Sequence, residues 1–341
     1  MKILAIETSC DDTSLALIEG GPTDQQRPKL HYHHSFDQNL LLEKWGGVVP
    51  EISARDHARK LPVLVRKAFE ESRISPSELD GLAVTTHPGL LGPLLTGLGA
   101  IKTLSLLYKL PIFPVNHLYA HLEAIHLTED VSYPYLGLLV SGGHSAFFIV
   151  KSCNDFEMLG STIDDAAGEA FDKGAKILGL PYPGGRVIDE LSKKGNPKAH
   201  VFPIGLTKEK TIHMSFSGLK TSLANKVKEL QPKPESQEFY DICASYQEAI
   251  TRALVKKAKI ALEKLELKLP IVVGGGVACN SRLRQSFQEH FNRVHFVAPQ
   301  FCTDNAAMVA NYALLNHDRF IPYPQCLALD SKSRFISKEQ L

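Results

Sequence analysis

The chain has 341 residues, with 38 lysines and arginines against 37 aspartates and glutamates, so its formal net charge is +1. A chain of this length predicts two compact units rather than one core. Its 44% hydrophobic and 22% charged residues exclude a disordered chain. The near balance of charge excludes a strongly basic nucleic-acid-binding protein, so any contact with nucleic acid or membrane needs a local patch or a partner.

The first residues and the cysteines predict a soluble, cytoplasmic protein. Met1 and Lys2 lead directly into an apolar run over residues 3–6, so we expect neither a signal peptide nor a transit segment. No apolar run approaches the roughly 20 residues that a membrane helix needs, so no membrane association is expected. The six cysteines are scattered without a CxxC pair, which is typical of thiols in a reducing compartment.

Short β-rich runs alternate with longer helical stretches, which predicts an α/β protein. Strands are predicted over residues 2–6, 14–18, 82–85, 112–115, 136–140, 146–150, 270–273 and 295–297. Helices are predicted to begin near Pro50, Pro93, Asn116, Ile163, Ser217, Ser236, Cys279 and Thr303. Asn116, Ser236 and Thr303 are residue types that cap exposed backbone N–H groups. The stretch over residues 93–108 is apolar nearly all round, which predicts a buried helix.

Two strand-turn-strand segments resemble each other, ILAIETSCDDTSLALIE over residues 3–19 and LGLLVSGGHSAFFIV over residues 136–150. Each places a hydroxyl and small or acidic residues in a tight turn between apolar strands. One interpretation is two unrelated hairpins. The other is a duplicated lobe, with one turn from each half facing a central cleft and offering backbone N–H groups to phosphates.

A glycine turn, Gly274 to Gly276, follows a predicted strand and precedes a predicted helix. It matches neither the Rossmann nor the P-loop pattern, so it indicates either a plain tight turn or a close approach of backbone to an anionic ligand. An acidic segment over residues 163–173 precedes a second glycine turn, PYPGG. Its carboxylates suit either ribose hydroxyls or the capping of nearby helices.

His117 and His121 lie four residues apart on one face of a predicted helix, a spacing that lets two imidazoles share a metal. Such a pair also arises readily by chance in a chain with 14 histidines. A zincin protease is disfavoured because Leu118 stands where its general base would be. Asp304 is our candidate for a third, harder ligand, although a carboxylate that simply favours the start of a helix is the alternative.

Ten motifs occur in one order along the chain: ETSCDDTS (7–14), GGVVPEISARDH (46–57), HPGLLGPLLTG (87–97), NHLYAH (116–121), VSGGHS (140–145), IDDAAGEAFDK (163–173), YPGG (182–185), SFSGLKT (215–221), GGGVACNSRLR (274–284) and FCTDNAAM (301–308). Together they resemble the TsaD family of tRNA N6-adenosine threonylcarbamoyltransferases, formerly called O-sialoglycoprotein endopeptidases. The CDDT and GGVVPE segments resemble its bacterial branch. The resemblance covers the chain from about Ile3 to its end.

The resemblance implies a two-lobed actin/Hsp70/sugar-kinase-like (ASKHA) fold with a central nucleotide cleft. The lobes would be residues 1–130 with 305–341, and residues 131–304. It implies transfer of the threonylcarbamoyl group from L-threonylcarbamoyladenylate to N6 of adenosine 37 in tRNAs reading codons that begin with A. Two alternatives are an ATP-dependent phosphotransferase of the same fold and a nucleotide-gated scaffold without enzymatic activity.

Carried over by position, the resemblance implies one divalent metal per subunit, Fe²⁺ or Zn²⁺, held by His117, His121 and Asp304. An adenine nucleotide or the threonylcarbamoyladenylate would be bound by Val140, Ser141, Gly142, Gly143, His144, Asp172, Gly185, Asp189 and Asn280. The weakly nucleophilic N6 amine calls for a base, and Asp11 is our candidate.

The resemblance also implies partners: the tRNA substrate, a TsaB-like paralogue and a TsaE-like ATPase, with a TsaC-type enzyme supplying the adenylate. Three positions depart from the family pattern. Asp12 stands where the family usually has Glu, and His87 and Ala306 stand where it has Gly. None of the three removes a predicted ligand, so we expect activity with altered metal affinity.

Overall fold

The computed structural model describes residues 1–21, 27–38, 48–206 and 210–335. The chain divides into two compact units, Met1–Asp130 with Asp304–Leu341, and Val131–Thr303. The boundary therefore precedes Asp304, whereas the sequence-based division placed Asp304 at the end of the second lobe. Gly46 and Gly47, from one of the motifs above, lie outside the described residues.

The first unit contains one mixed sheet. Its strands are β1 (Lys2–Glu7), β2 (Thr13–Glu19), β3 (Lys29–Phe36), β4 (Gly81–His87) and β5 (Ile112–Asn116). Their order is β3-β2-β1-β4-β5. β1 pairs antiparallel with β2 and parallel with β4. β2 and β3 are also antiparallel, and β4 and β5 are also parallel. Central β1 reads as a continuous apolar run because both of its faces are covered.

The second unit repeats this arrangement. Its strands are β6 (Tyr135–Val140), β7 (Ser145–Ser152), β8 (Asp155–Ser161), β9 (Ile271–Gly274) and β10 (Val294–Phe296). Their order is β10-β9-β6-β7-β8, with β6 antiparallel to β7 and parallel to β9. β7 and β8 are antiparallel, and β9 and β10 are parallel. In each sheet, therefore, the strand pairs on one side of the central strand are antiparallel and those on the other side are parallel. This common topology supports the duplicated-lobe interpretation over two unrelated hairpins.

The helices of the described residues are, in chain order, α1 (Pro50–Ser72), α2 (Leu91–Tyr108), α3 (His117–Glu123), α4 (Ala167–Ile177), α5 (Gly184–Ser192), α6 (Ser217–Leu230), α7 (Gln237–Leu265), α8 (Ser281–His290), α9 (Pro299–Cys302) and α10 (Ala306–Leu315). Pro50 occupies the first turn of α1, where its missing N–H costs nothing. Asn116 and Ser236 cap α3 and α7 as predicted.

Several predicted elements need correction. The helix predicted from Ile163 begins at Ala167, and Thr303 does not cap α10, because Asn305 Oδ1 accepts the N–H of Met308 at 3.0 Å. Strands β3 and β8 and helix α5 were not predicted. Both strands lie at sheet edges, where polar residues interrupt the apolar pattern from which strands are predicted.

Helix α2 is only half buried, contrary to the prediction. Leu98 and Ile101 pack into the core of the first unit, whereas Leu95 is 45% exposed and Leu107 is 64% exposed. Among the described residues, α2 is the one helix long and apolar enough to cross a bilayer. The core helix of a soluble protein passes the same test, and the buried side of α2 is consistent with that simpler explanation.

Candidate functional site

Three side chains from distant parts of the first unit converge on one point. His117 is the first residue of α3, His121 follows one turn later, and Asp304 lies just before α10. The Nε2 atoms of the two histidines are 3.2 Å apart. Asp304 Oδ1 lies 3.0 Å from Nε2 of His121 and 3.5 Å from Nε2 of His117.

These distances suit a metal ion. Ligands held tetrahedrally by bonds of about 2.1 Å lie about 3.4 Å apart. Both histidines are buried, and Asp304 is partly exposed. The alternative, a carboxylate that simply starts a helix, does not account for Asp304, because Asn305 caps α10 while Asp304 faces the imidazoles. His117, His121 and Asp304 could therefore hold a metal ion.

Glu7 is a buried carboxylate behind this group that the sequence analysis did not single out. It ends strand β1 and is fully buried. Its Oε2 lies 3.3 Å from Nδ1 of His117 and accepts the Thr85 hydroxyl, while its Oε1 accepts the N–H of Ser9 at 2.6 Å. The sequence does contain a signal for this residue. Glu7 directly follows a predicted buried strand, and a charged group at such a position needs hydrogen-bond or charge partners.

The buried charges shift one another. Burial lowers the pKa of His117, but the charges of Asp304 and Glu7 outweigh it and raise that pKa to about 9. Burial raises the pKa of Glu7, yet the His117 charge and hydrogen bond bring it below its usual value. Burial and the His117 charge lower the pKa of His121. Without a metal, His117 is therefore the protonated histidine of the pair.

The turn between β1 and β2 carries the carboxyl groups of Asp11 and Asp12. Burial, then the charge of Asp304, raises the pKa of both, and that of Asp12 reaches about 9. His57, fully buried on α1, holds this turn through Nε2, which lies 3.1 Å from the Cys10 carbonyl oxygen. The role of Asp11 as a base stays a prediction.

The two remaining departures from the family pattern lie at element ends of the first unit. His87 ends β4, and burial together with Lys332 lowers its pKa to about 4. Ala306 is fully buried and donates its backbone N–H to Ser14 Oγ at 2.9 Å. The added methyl group of Ala306 therefore lies inside the core.

In the second unit, the turn from Ser141 to His144 joins β6 to β7. The N–H of Ser141 donates to the His144 carbonyl at 2.8 Å, and the N–H of His144 donates to Ser141 Oγ at 3.1 Å. Gly142 and Gly143 are exposed, and a Cβ at either would meet nothing within 4 Å. The backbone of the turn is thus accessible at these two glycines.

The glycine turn after β9 lies against the end of β6. Gly275 has φ +91°, and a Cβ there would lie 2.3 Å from the Val140 carbonyl oxygen. The N–H of Gly168 at the start of α4 donates to the Ser141 carbonyl oxygen at 3.2 Å. Glycine is required at Gly275 because its backbone meets that of Val140, and an approach of this turn to an anionic ligand stays a prediction.

The other predicted nucleotide-binding residues also lie in the second unit, and the side chains of Asp172, Asp189 and Asn280 make hydrogen bonds within it. Asp172 Oδ1 accepts the N–H of Gly184, which precedes Gly185 at the start of α5, at 2.8 Å. Asp189 accepts the N–H and the hydroxyl of Ser281 at 3.0 and 2.8 Å. Asn280 caps α8, and its Nδ2 donates to Gln247 Oε1 at 2.6 Å.

Two acidic residues of the segment over residues 163–173 make structural contacts. Asp164 accepts the backbone N–H of Phe216 at 2.8 Å and the Ser217 hydroxyl at 2.8 Å, so it caps the start of α6. Asp165 pairs with Lys173 at 2.8 Å. For these two residues the structural interpretation is sufficient, and Asp172 remains the candidate for a ribose contact.

Comparisons with known proteins agree over most of the chain. The family model described as TsaD, tRNA N6-adenosine threonylcarbamoyltransferase, matches residues 30–311. A protein of that name from Anaeromyxobacter sp. (strain Fw109-5) is 46% identical over 331 residues, covering 94% of this chain and 96% of that protein. One from Bdellovibrio bacteriovorus is 42% identical over 349 residues, covering 97% of this chain and 99% of that protein.

Solved structures show the fold. Full-length HypF in its phosphate- and nucleotide-bound form aligns with a TM-score of 0.58 at 13% identity, covering 93% of this chain and 46% of that one. Component A of the Acidaminococcus fermentans (R)-2-hydroxyglutaryl-CoA dehydratase aligns with a TM-score of 0.56 at 14% identity. The alignment covers 94% of this chain and 100% of that one. These likenesses support the actin/Hsp70/sugar-kinase-like fold alone. The family match and the sequence relatives lead to one conclusion: the chain belongs to the TsaD family of tRNA N6-adenosine threonylcarbamoyltransferases.

Proposed function

We propose that the chain transfers the threonylcarbamoyl group from L-threonylcarbamoyladenylate to N6 of adenosine 37 in tRNAs that read codons beginning with A, releasing AMP. Membership of the family supports this activity. The observation that carries it in the structure is the convergence of His117, His121 and Asp304, whose three ligand atoms lie 3.0 to 3.5 Å apart.

The metal of this proposal is Fe²⁺ or Zn²⁺, one per subunit. Two imidazole nitrogens and one carboxylate oxygen are a ligand set that both ions accept. When bound, such an ion supplies a Lewis acid that polarises the carbonyl or holds the phosphate of a mixed anhydride. His117 and His121 contribute buried Nε2 atoms, and Asp304 contributes a partly exposed carboxylate.

The adenylate is assigned to the second unit. The open backbone of Gly142 and Gly143 suits its phosphate, because turn N–H groups stabilise the charge that develops as AMP leaves. In this proposal Asp172 and Asp189 accept hydrogen bonds from ribose hydroxyls and Asn280 orients the nucleotide, while the two carboxylates also accept the N–H groups of Gly184 and Ser281. Val140, Ser141, His144 and Gly185 complete this proposed site.

Asp11 is the proposed base. Attack by N6 on the carbonyl forms the new N–C bond, breaks the bond to the phosphate oxygen and leaves one proton to be removed from N6. Burial and the charge of Asp304 raise the pKa of Asp11, which makes its carboxylate a stronger proton acceptor.

The proposal includes partners. The tRNA would contact local basic groups such as Arg55, Arg59 and Lys60, or Lys220, Lys226 and Lys228, because the whole chain is nearly neutral. A TsaB-like paralogue is assigned to the exposed side of α2, where Leu95 and Leu107 face solvent. A TsaE-like ATPase and a TsaC-type enzyme complete the cytoplasmic system.

Nucleoside mass spectrometry tests the activity. Unmodified tRNA is incubated with threonylcarbamoyladenylate and the chain, with and without the partners, and its nucleosides are analysed. The proposal expects threonylcarbamoyladenosine at position 37. No such nucleoside under any condition would overturn the transferase. Phosphate transfer from ATP to a small molecule would favour the phosphotransferase, and nucleotide binding with neither reaction would favour the scaffold.

A further inference from the structure

Glu7 is a charged residue in an apolar setting. It ends the central strand of the first sheet, directly after residues 3–6, which are completely buried. An ionised carboxylate in such a place costs several kcal/mol of desolvation unless hydrogen bonds and an opposite charge compensate it. Such a residue is therefore expected to support something specific.

Among the described residues, two hydrogen-bond donors and one imidazole are seen to face Glu7. The Ser9 N–H donates to Oε1 at 2.6 Å, and the Thr85 hydroxyl donates to Oε2. The imidazole is that of His117, whose Nδ1 lies 3.3 Å from Oε2 and 3.2 Å from Ser9 Oγ. Ser9 and Thr85 fix the carboxylate, and the carboxylate faces the histidine.

This arrangement selects a tautomer of His117. A carboxylate only accepts hydrogen bonds, so Nδ1 carries the proton that faces it. The lone pair of the neutral ring is then on Nε2, the atom that faces His121 and Asp304. A carboxylate behind a histidine in this way both orients the ring and makes the outer nitrogen a better ligand.

The second histidine lacks this support. Nδ1 of His121 is buried and has no hydrogen-bond partner among the described residues. Of the two imidazoles, only His117 is seen with a carboxylate behind it in the described part of the chain. Glu7 is therefore the carboxylate that orients His117, and no equivalent group is seen for His121 among the described residues.

We propose that Glu7 is the positioning residue of the His117, His121 and Asp304 group. It holds His117 with Nδ1 protonated and Nε2 free to bind a divalent cation, and so increases the affinity of the group for the ion. This inference rests on the proposed metal site, and its test separates the two.

The test uses Zn²⁺ as the probe and the full chain stripped of metal. In Glu7→Gln the amide keeps an oxygen for Ser9 but can turn its NH₂ toward Nδ1, which favours the wrong tautomer. We expect zinc affinity, measured by competition with a chromophoric chelator, to fall about 10- to 100-fold. Thermal unfolding measured on the same samples reports any general loss of structure.

Glu123→Gln is the matched control. Glu123 is also fully buried in the first unit, and it faces His126, which is not a ligand, at 3.6 Å. Both variants lose a buried carboxylate beside a histidine, but only Glu7 contacts a predicted metal ligand. We expect Glu123→Gln to bind zinc within about threefold of the unchanged protein, because Glu123 does not support a ligand histidine.

A spectroscopic measurement needs no variant. In the zinc-bound unchanged protein, nitrogen-correlated NMR of labelled histidines should show a protected Nδ1 proton on His117. Binding of zinc through Nδ1 of His117, or wild-type zinc affinity in Glu7→Gln while His117→Ala loses it, would overturn the role of Glu7 alone. Wild-type zinc affinity in His117→Ala would overturn the metal site and, with it, this inference.

Discussion

The two units share one strand order and differ in what their first turns carry. The β1–β2 turn presents Asp11 and Asp12, and the β6–β7 turn presents Gly142 and Gly143. Carboxylates and imidazoles suit a cation, whereas open backbone N–H groups suit an anion. The sheets supply the same frame twice, and a few residues at strand ends give each copy its own chemistry.

The difference extends to the surroundings of each turn. In the first unit Glu7, His117 and His121 are buried and shift one another's pKa values. In the second unit Asp189 and Asn280 are held at the start of α8 by backbone and hydroxyl groups. Electrostatic coupling dominates around His117, whereas backbone geometry dominates in the proposed nucleotide site. Variants in the two units should therefore lose different properties.

The largest effect is expected from removing a metal ligand. His117→Ala should abolish bound metal and reduce transfer by about 1,000-fold or more, since Lewis-acid stabilisation contributes several kcal/mol. Affinity of the second unit for adenosine, which has no phosphate for the ion to hold, should not change. Elemental analysis and calorimetry measure the two properties, with His126→Ala as control. Parallel loss of both properties would break the proposed division between the units.

Asp11→Asn sharpens the comparison within the first turn. Loss of a general base should slow transfer by about 100-fold while metal content stays the same. Its neighbour is the comparison: burial, then the charge of Asp304, raises the pKa of Asp12 in the metal-free protein to about 9, and we expect Asp12→Asn to reduce transfer less than Asp11→Asn. Full transfer activity in Asp11→Asn, followed by mass spectrometry of the tRNA, would dispose of its role.

How far the sequence predicts this molecule depends on the kind of feature. Central strands β1 and β6 were predictable because burial on both faces leaves a continuous apolar run. Edge strands β3 and β8 were not, because their exposed polar residues break the pattern. The spacing of His117 and His121 indicated a shared face. Their meeting with Asp304, and the contact of Glu7 with His117, depend on tertiary packing that no local pattern records.

Gly275→Ala tests the second unit. A Cβ would lie 2.3 Å from the Val140 carbonyl oxygen, and φ of +91° is strained for any other residue. We expect about 1 to 3 kcal/mol of lost stability and about tenfold weaker nucleotide binding, with metal content unchanged. Gly142→Ala is the matched control for stability, because its Cβ would meet nothing within 4 Å. Denaturation measures the stability, and calorimetry measures the affinity for nucleotide. A Gly275→Ala protein with unchanged stability would contradict the close approach of Gly275 to Val140.

The smallest effect is a pH dependence confined to the first unit. The pKa of His117 is raised to about 9 because the charges of Asp304 and Glu7 outweigh burial. A metal needs the neutral ring, so zinc binding at pH 7.5 should release about one proton, and affinity should fall as pH is lowered below 9. In the metal-free protein the stabilising charge on His117 is fully present below about pH 6.5 and lost as pH rises through 9.

Calorimetry of zinc binding in buffers of different ionisation enthalpy measures this proton. Nucleotide binding to the second unit serves as the comparison and should release no proton from His117. Zinc binding without proton release at pH 7.5 would show that the charges around His117 do not raise its pKa as the structure indicates.

The central claim is that the first unit holds the metal and the second holds the adenylate. Anomalous diffraction from crystals grown with Zn²⁺ and a non-hydrolysable adenylate analogue tests it most directly. The account predicts one zinc peak bonded to His117, His121 and Asp304, and nucleotide density along the Ser141 to His144 turn and Asp189. Zinc bound elsewhere, or a nucleotide phosphate on the β1–β2 turn, would contradict it.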